Sequence, residues 1–336
     1  MDECYEDYVR FLTENIDQIR SSLIIDSKDL SQEMQEWFSK IYHKYFPDSS
    51  IFSSISASDS SEFVRELYNG KKIIMTRGYT VKDGKVYSQF FSDVFWVSRD
   101  HLRTMVTMLM ENVEHISVCK MLKEESPDIV LLDGSLTGRL YHGSKKFESE
   151  KYSDIGDLYY KNLNEMLISC RNNGSAIVYV SKTSESRLLV SQFLKKHRES
   201  LPASDVKVLE TTVDHVLVKS LAGSPGYTEP VRVENGFIDS AAIWSFNFLP
   251  SIQDLPMKVE VVTDDELDRS FFHKLMSTLF WGYCGPKVHN IWISNADNLV
   301  KFRTDEVERI YMATFERITG IPFYETRGER RARIRI

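Results

Sequence analysis

The sequence predicts an α/β protein in which a mixed sheet is flanked by helices and preceded by a helical N-terminal extension. Three observations carry that prediction. Strand-like and helical runs alternate along the chain with no internal repeat. Ile129-Val130-Leu131-Leu132 is a continuous apolar run, the pattern of a strand buried on both faces. The first 47 residues repeat their apolar side chains at helical spacing.

Taken in order, Tyr8, Phe11, Leu12, Ile16 and Ile19 mark one amphipathic run. After Asp26-Ser27-Lys28-Asp29, a second run places Met34, Trp37, Ile41 and Tyr45 on one helical face, and Pro47-Asp48-Ser49-Ser50 ends the extension. The serine-rich segment Phe52–Ser61 carries Asp59 just ahead of a helix-like stretch. Tyr68-Asn69-Gly70 is a turn signal before a strand from Lys72 to Thr80, and Lys82-Asp83-Gly84-Lys85 a hairpin turn into Val86–Phe91. Residues 100–123 form the clearest amphipathic helix, with Leu102, Val106, Leu109, Val113, Ile116 and Met121 as its stripe and Glu111 and Glu114 together on one face. Pro127-Asp128 breaks it, and the apolar run that follows closes at Asp133-Gly134-Ser135. Helices over about 154–172 and 184–199 bracket a buried strand at Ser175–Val180. Val206–Glu210, Asp214–Val218, Ile238–Asn247 and Met257–Val262 read as strands, whereas Leu267–Leu279 and Thr304–Ile318 read as helices. Arg327, Arg330, Arg331, Arg333 and Arg335 alternate with small and apolar residues, predicting a basic strand or tail. The expected organisation is therefore an extension over 1–47, a main domain over 48–326 and a basic end over 327–336.

Composition narrows the function classes. The 336 residues are 42% hydrophobic and 27% charged, as in ordinary globular proteins, which excludes a disordered, collagen-like or membrane-spanning chain. The acidic start of the sequence has no apolar run, so no secretory signal is expected. Cys4, Cys119, Cys170 and Cys284 are far apart and form no CxxC pair, which argues against structural zinc and for a cytoplasmic, reducing setting. The 42 Lys+Arg against 49 Asp+Glu give a net charge of −7, unlike a general nucleic-acid coat, though a local basic channel is compatible with it. No GxxxxGK[ST], GxGxxG, GxSxG or HExxH occurs, which disfavours P-loop motors, dinucleotide enzymes, serine hydrolases and zinc proteases.

Asp133 is the strongest candidate for chemistry. An apolar strand ending in Asp-Gly sets the carboxylate at the carboxyl edge of a sheet, where open α/β sheets place their ligands, although Asp-Gly also builds plain turns. Asp59 reads locally as a helix N-cap, and Glu114 as a solvated helical glutamate. Together the three carboxylates point to a hard cation, since Mg²⁺ and Mn²⁺ prefer carboxylate oxygens. Lys182, just past the Val178–Val180 strand, shares the sheet edge with Asp133 or is simply solvated, and Asp214 is a strand-edge acid. Trp281-Gly282-Tyr283-Cys284-Gly285-Pro286-Lys287 reads as a loop able to stack a base, with His289 close by.

The order of these motifs resembles the NurA nuclease family of archaea. The resemblance rests on Asp59-Ser60-Ser61 with the following Tyr68-Asn69-Gly70, on Glu114, on Val130-Leu131-Leu132-Asp133-Gly134-Ser135-Leu136, on Ser181-Lys182, and on Gly282-Tyr283; it spans about Phe52 to Arg309. It implies an RNase-H-like fold and a ring-shaped homodimer. It also implies a Mn²⁺- or Mg²⁺-dependent deoxyribonuclease, a 5′–3′ exonuclease and single-strand endonuclease that uses two ions. The implied partners are DNA ends and HerA, a hexameric translocating ATPase, in the repair of double-strand breaks. By the same resemblance Asp59, Glu114 and Asp133 hold metal and Tyr283 is an active-site aromatic; Lys182, from its place after the strand, would offset phosphoryl charge. Two positions depart from the pattern. Ser60 replaces a glycine, and Ala296-Asp297 stands where Ala-His is expected, so either Asp297 becomes a ligand or His289 does the histidine's work. The competing expectations are a nuclease-fold adaptor that grips an ATPase without cutting, and a general nucleotide phosphohydrolase.

Overall fold

The computed structural model describes residues 3–23, 30–46, 50–142, 145–182, 184–234, 241–264 and 266–322. In chain order its helices are α1 (Glu3–Glu14), α2 (Ile16–Leu23), α3 (Gln32–Ile41), α4 (Arg99–Leu122), α5 (Leu136–His142), α6 (Ile155–Asn172), α7 (Leu188–His197), α8 (Ala203–Thr211), α9 (Asp214–Leu221), α10 (Arg269–Gly282), α11 (Ile291–Val300), α12 (Thr304–Glu306) and α13 (Ala313–Thr319), with a π-helical turn at Val307–Met312. The strands are β1 (Tyr42–Lys44), β2 (Ile55–Glu66), β3 (Lys72–Lys82), β4 (Lys85–Phe95), β5 (Ile129–Asp133), β6 (Ala176–Ser181), β7 (Gly226–Thr228), β8 (Val231–Val233), β9 (Ala242–Leu249) and β10 (Met257–Thr263). The chain divides into two compact units. One holds Met1–Pro47, Ser181–Val233 and Trp244–Val259; the other holds Asp48–Val180, Glu234–Ile243 and Glu260–Ile336. The segment 1–47, read as an extension, thus groups with later parts of the chain, and residues 327–336 lie outside the described residues.

The second unit contains the sheet order β6-β5-β2-β3-β4. β2, β3 and β4 form an antiparallel meander, and β2, β5 and β6 run parallel. This mixed sheet flanked by helices is the RNase-H-like arrangement. The hairpin between β3 and β4 turns through Asp83 and Gly84, both at positive φ (49° and 82°), which an Asp-Gly pair adopts readily. β5 is buried as its unbroken apolar run requires, with Ile129, Val130, Leu131 and Leu132 all at 0% exposure.

In the first unit, Met34 and Phe38 of α3 pack with Leu189, Val190 and Phe193 of α7, and Trp37 lies 4.4 Å from Phe193 between ring centroids. Three expectations fail. Val206–Glu210 and Asp214–Val218 are helical, not strands: they lie within α8 and α9, with Leu209, Leu217 and Val218 turned into this core. A short apolar run cannot separate a buried strand from a short helix. The signal that could have separated them is the paired acid of each helix. Asp205 Oδ2 accepts the Ser31 amide at 3.1 Å, and Asp214 accepts the Val190 amide at 3.0 Å and the Ser186 hydroxyl at 2.9 Å. Asp214 is thus a buried structural acid. Thirdly, the N-terminal helical pattern stops at Ile41, because Tyr42–Lys44 pair antiparallel with β7 and Tyr42 hydroxyl donates to the Ser224 carbonyl at 2.6 Å. Among the described residues no helix is long and apolar enough to cross a membrane.

Candidate active site

The register of β2 and β5 builds the site. These parallel strands pair from Ile55↔Ile129 to Ser58↔Leu132, so Asp59 and Asp133 both sit one residue past the last pair. The expectation that Asp59 caps a helix is overturned: it lies inside the twelve-residue strand β2, where Tyr79 of β3 is its cross-strand neighbour. Serine and aspartate are poor strand formers, but pairing on both sides of β2 overrides propensity. β5 stops at Asp133 because Gly134 turns the chain at φ 101°, a conformation that favours glycine.

Alternation along β2 and β3 separates the two faces of the sheet. Ser58 and Thr80 face α4, where Thr80 and Ser117 hydroxyls lie 2.8 Å apart and Ser117 donates to the Glu114 carbonyl at 2.8 Å. Asp59 and Tyr79 face α11, whose Val300 carbonyl accepts from Arg77 Nε at 2.6 Å. Gly78 sits where α4 crosses closest. A Cβ there would stand 2.7 Å from the Glu114 amide nitrogen and from the Val113 carbonyl. Gly78→Ala is therefore expected to push α4 outward at Glu114 and to cost ~1–3 kcal/mol, the usual penalty of overpacking, which urea unfolding will measure. A variant as stable as the parent would show that α4 can yield.

Glu114 is 1% exposed and Arg139, on α5, 4%. The Arg139 guanidinium donates to Glu114 Oε2 at 2.6 Å and to the Asp133 carbonyl at 2.9 Å, lies 3.1 Å from His115 Nε2, and covers the Tyr179 ring at 5.1 Å. Glu111 completes the group, bonded to His142 at 3.0 Å and to Tyr159 at 2.5 Å. Burial and the facing Arg139 hold His115 well below its ordinary pKa, hence neutral. The other Glu114 oxygen, Oε1, is buried with no hydrogen-bond partner. A buried acceptor left open near Asp59 and Asp133 is the chemistry of a hard-cation ligand.

The neighbouring acids bear on Asp59 and Glu114. Burial first, then repulsion from Glu114, Asp133 and Asp297, push the Asp59 carboxyl up to about 8 from an ordinary 3.8. Glu114 rises to about 7, through burial and despite Arg139. Below about pH 4 the folded and unfolded chains both hold the Asp59 proton; above it only the unfolded chain releases it, so stability falls as pH rises until about pH 8. Metal-free protein is thus expected to lose urea resistance between pH 5 and 8, and Asp59→Asn to flatten that slope; parallel slopes would contradict the carboxylate cluster. Asp297, on α11, is also held by Lys301 at 2.5 Å. Among the described residues no three His, Cys, Asp or Glu side chains converge at ligand distance. The donor set fits a divalent cation in kind, with the carboxylates mutually repelled and Glu114 anchored on Arg139.

The NurA domain is matched over residues 37–302 of this chain. The chain belongs to the NurA family. The fold agrees with NurA nuclease of Sulfolobus solfataricus at TM-score 0.66 and 14% identity, covering 96% of this chain and 100% of that one. A NurA structure with manganese matches at TM-score 0.53 and 12% identity over 93% and 97% of the two chains, and one bound to dAMP and manganese at 0.52 and 12% over 93% and 96%. No curated protein matches by sequence. This chain is therefore a member of a nuclease family with the NurA fold.

Against the NurA motifs, Glu114, Asp133 and Asp297 are each brought within electrostatic reach of Asp59. Tyr283 terminates α10, and His289 is buried in the loop between α10 and α11. Lys182 follows β6 and belongs to the other unit. Sequence reading missed Arg139, His115 and Glu260. Buried Glu260 accepts from Ser135 Oγ at 2.9 Å, the Thr137 amide at 3.2 Å and Thr137 Oγ1 at 2.5 Å, fixing the turn after Asp133. The one available signal was Glu260 itself, a lone acid inside the apolar run Val259–Val262.

Proposed function

We propose that this NurA protein is a Mn²⁺- or Mg²⁺-dependent deoxyribonuclease. The observation that carries the reading is the β2–β5 register, which brings Asp59 and Asp133 to the same level on adjacent parallel strands. Asp59, Asp133 and Asp297 would hold one cation, and Asp133 with the open Oε1 of Glu114 a second. Such cations lower the pKa of a bound water and stabilise charge on a phosphoryl oxygen. The protein's own residues do the positioning. Arg139 fixes the Glu114 carboxylate through one oxygen and leaves the other for ligation, Gly78 lets α4 approach closely enough for this, and Glu260 steadies the turn behind Asp133. Asp297 takes the place of the family's histidine, since its charge bears on Asp59 and His289 lies in the loop before α11. Tyr283 serves as the aromatic of the site.

The reading extends to 5′–3′ exonuclease and single-strand endonuclease action by a homodimer at DNA ends, with DNA delivered by a HerA-type hexameric ATPase. The net charge of −7 supports delivery by a motor, because an acidic chain captures DNA poorly unaided. The test is labelled linear DNA with purified protein in Mn²⁺, with and without EDTA and the ATPase. Cleavage abolished by EDTA is the expected result. Intact DNA in every arm, with the ATPase still bound, would replace the nuclease by an adaptor.

A further inference from the structure

Beside the acidic cluster lies a cleft of about 490 Å³ whose character is opposite. It begins at Tyr79, the cross-strand neighbour of Asp59, and at Asn298, next to Asp297, and it leads away past Lys301, Arg303 and Arg309. Its floor is rigid. Arg77 donates to Glu306 at 2.6 Å and to the Val300 and Lys301 carbonyls at 2.6 Å, and its guanidinium lies 4.2 Å over the Phe302 ring. Arg77 is thereby paired with Glu306, whose carboxylate also feels Arg303, and Lys301 with Asp297, which leaves the exposed Arg303 and Arg309 as the outward cations beside Asp305. Arg309 and Ile310 ride on the π-helical turn Val307–Met312, a rare geometry that recurs at functional sites. Ile310 is 58% exposed, and Tyr79 is half-buried at the mouth, so an apolar platform lies beside the two arginines.

We infer that this cleft is a subsite for one nucleotide of a single strand, the neighbour of the phosphodiester held at the acidic cluster. Arg303 and Arg309 take its phosphate, and Tyr79 with Ile310 carry its base. The inference rests on the nuclease reading and names where that substrate continues. Size decides between strand and duplex: the volume falls in the ~300–1,000 Å³ range of small-ligand pockets, enough for a nucleotide and too small for a double helix. Charge decides the direction. A polyanion leaving four carboxylates finds its counter-charges in this cleft, and base–aromatic stacking tolerates any sequence.

The test is fluorescence anisotropy of dT2, dT6 and dT12 with wild type and Arg303→Gln/Arg309→Gln in Ca²⁺, with oligonucleotide integrity checked after each titration. Both arginines are exposed, so the double variant is expected to fold. Losing the contacts to that one phosphate is expected to lower the slope of log affinity against log salt by ~0.7 and to weaken dT6 binding roughly tenfold at low salt. Equal affinities and slopes overturn the subsite, and so does a wild type that binds none of the three. The nuclease reading is scored apart, by Mn²⁺-dependent turnover of thymidine 5′-(p-nitrophenyl phosphate) by wild type, a substrate with no neighbouring nucleotide.

Discussion

Asp133→Asn is expected to lower Mn²⁺-dependent cleavage of linear DNA by about a thousandfold, equivalent to ~4 kcal/mol of barrier. The change keeps size and shape but removes the charge that the two proposed cations share. Asp133 is partly exposed at the end of β5, and the isosteric change leaves its backbone carbonyl in place to accept from Arg139, so the fold should survive the substitution. Asp59→Asn should cost nearly as much. Asp297→Asn should cost less, because Lys301 already holds that carboxylate. The check is initial cleavage rate at saturating Mn²⁺ beside circular dichroism of each variant. A folded Asp133→Asn protein that cuts at the parental rate would remove Asp133 from the chemistry.

Arg139→Met is expected to be the most destabilising single change at the site, by ~3–5 kcal/mol, because it leaves the buried Glu114 without its counter-charge. Two consequences distinguish this from simple loss of packing. The penalty should be smaller at pH 5 than at pH 8, since a glutamate raised to about 7 even with Arg139 present is protonated at the lower pH without it. Arg139→Met/Glu114→Gln should then recover most of the stability, because the buried Glu114 charge is gone and Glu111 keeps His142, while cleavage stays lost. Urea unfolding at the two pH values measures both effects. A penalty independent of pH, or a double variant no more stable than Arg139→Met, would mean that Arg139 acts through volume alone.

The carboxylates were legible in the sequence to different degrees, and for physical reasons. Asp133 was legible because a fully buried strand leaves a continuous apolar run, and the first polar residue after it marks the sheet edge. Glu114 entered through the motif order, but its local reading as a solvated helical glutamate is overturned: it is 1% exposed and bonded to Arg139, which a helical period alone does not reveal. Asp59 was legible through the motif order, yet its local structure was misread, since Ser-Asp-Ser-Ser favours caps and turns until β3 pairs along its whole length and β5 pairs up to Ser58. Arg139 left no signal. It sits on the seven-residue helix α5, too short to show a period, and it matters only because the fold carries it beneath Glu114. The same limit applied to α8 and α9, whose short apolar runs looked like strands until packed against α7.

Anomalous scattering from crystals grown with Mn²⁺ would locate the metal directly. The expected result is a manganese peak bonded to the carboxylates of both Asp59 and Asp133, with Arg139 still on Glu114 Oε2. A fully occupied peak elsewhere, for example on Glu111 and His142, with none between β2 and β5, would contradict the assignment of this site.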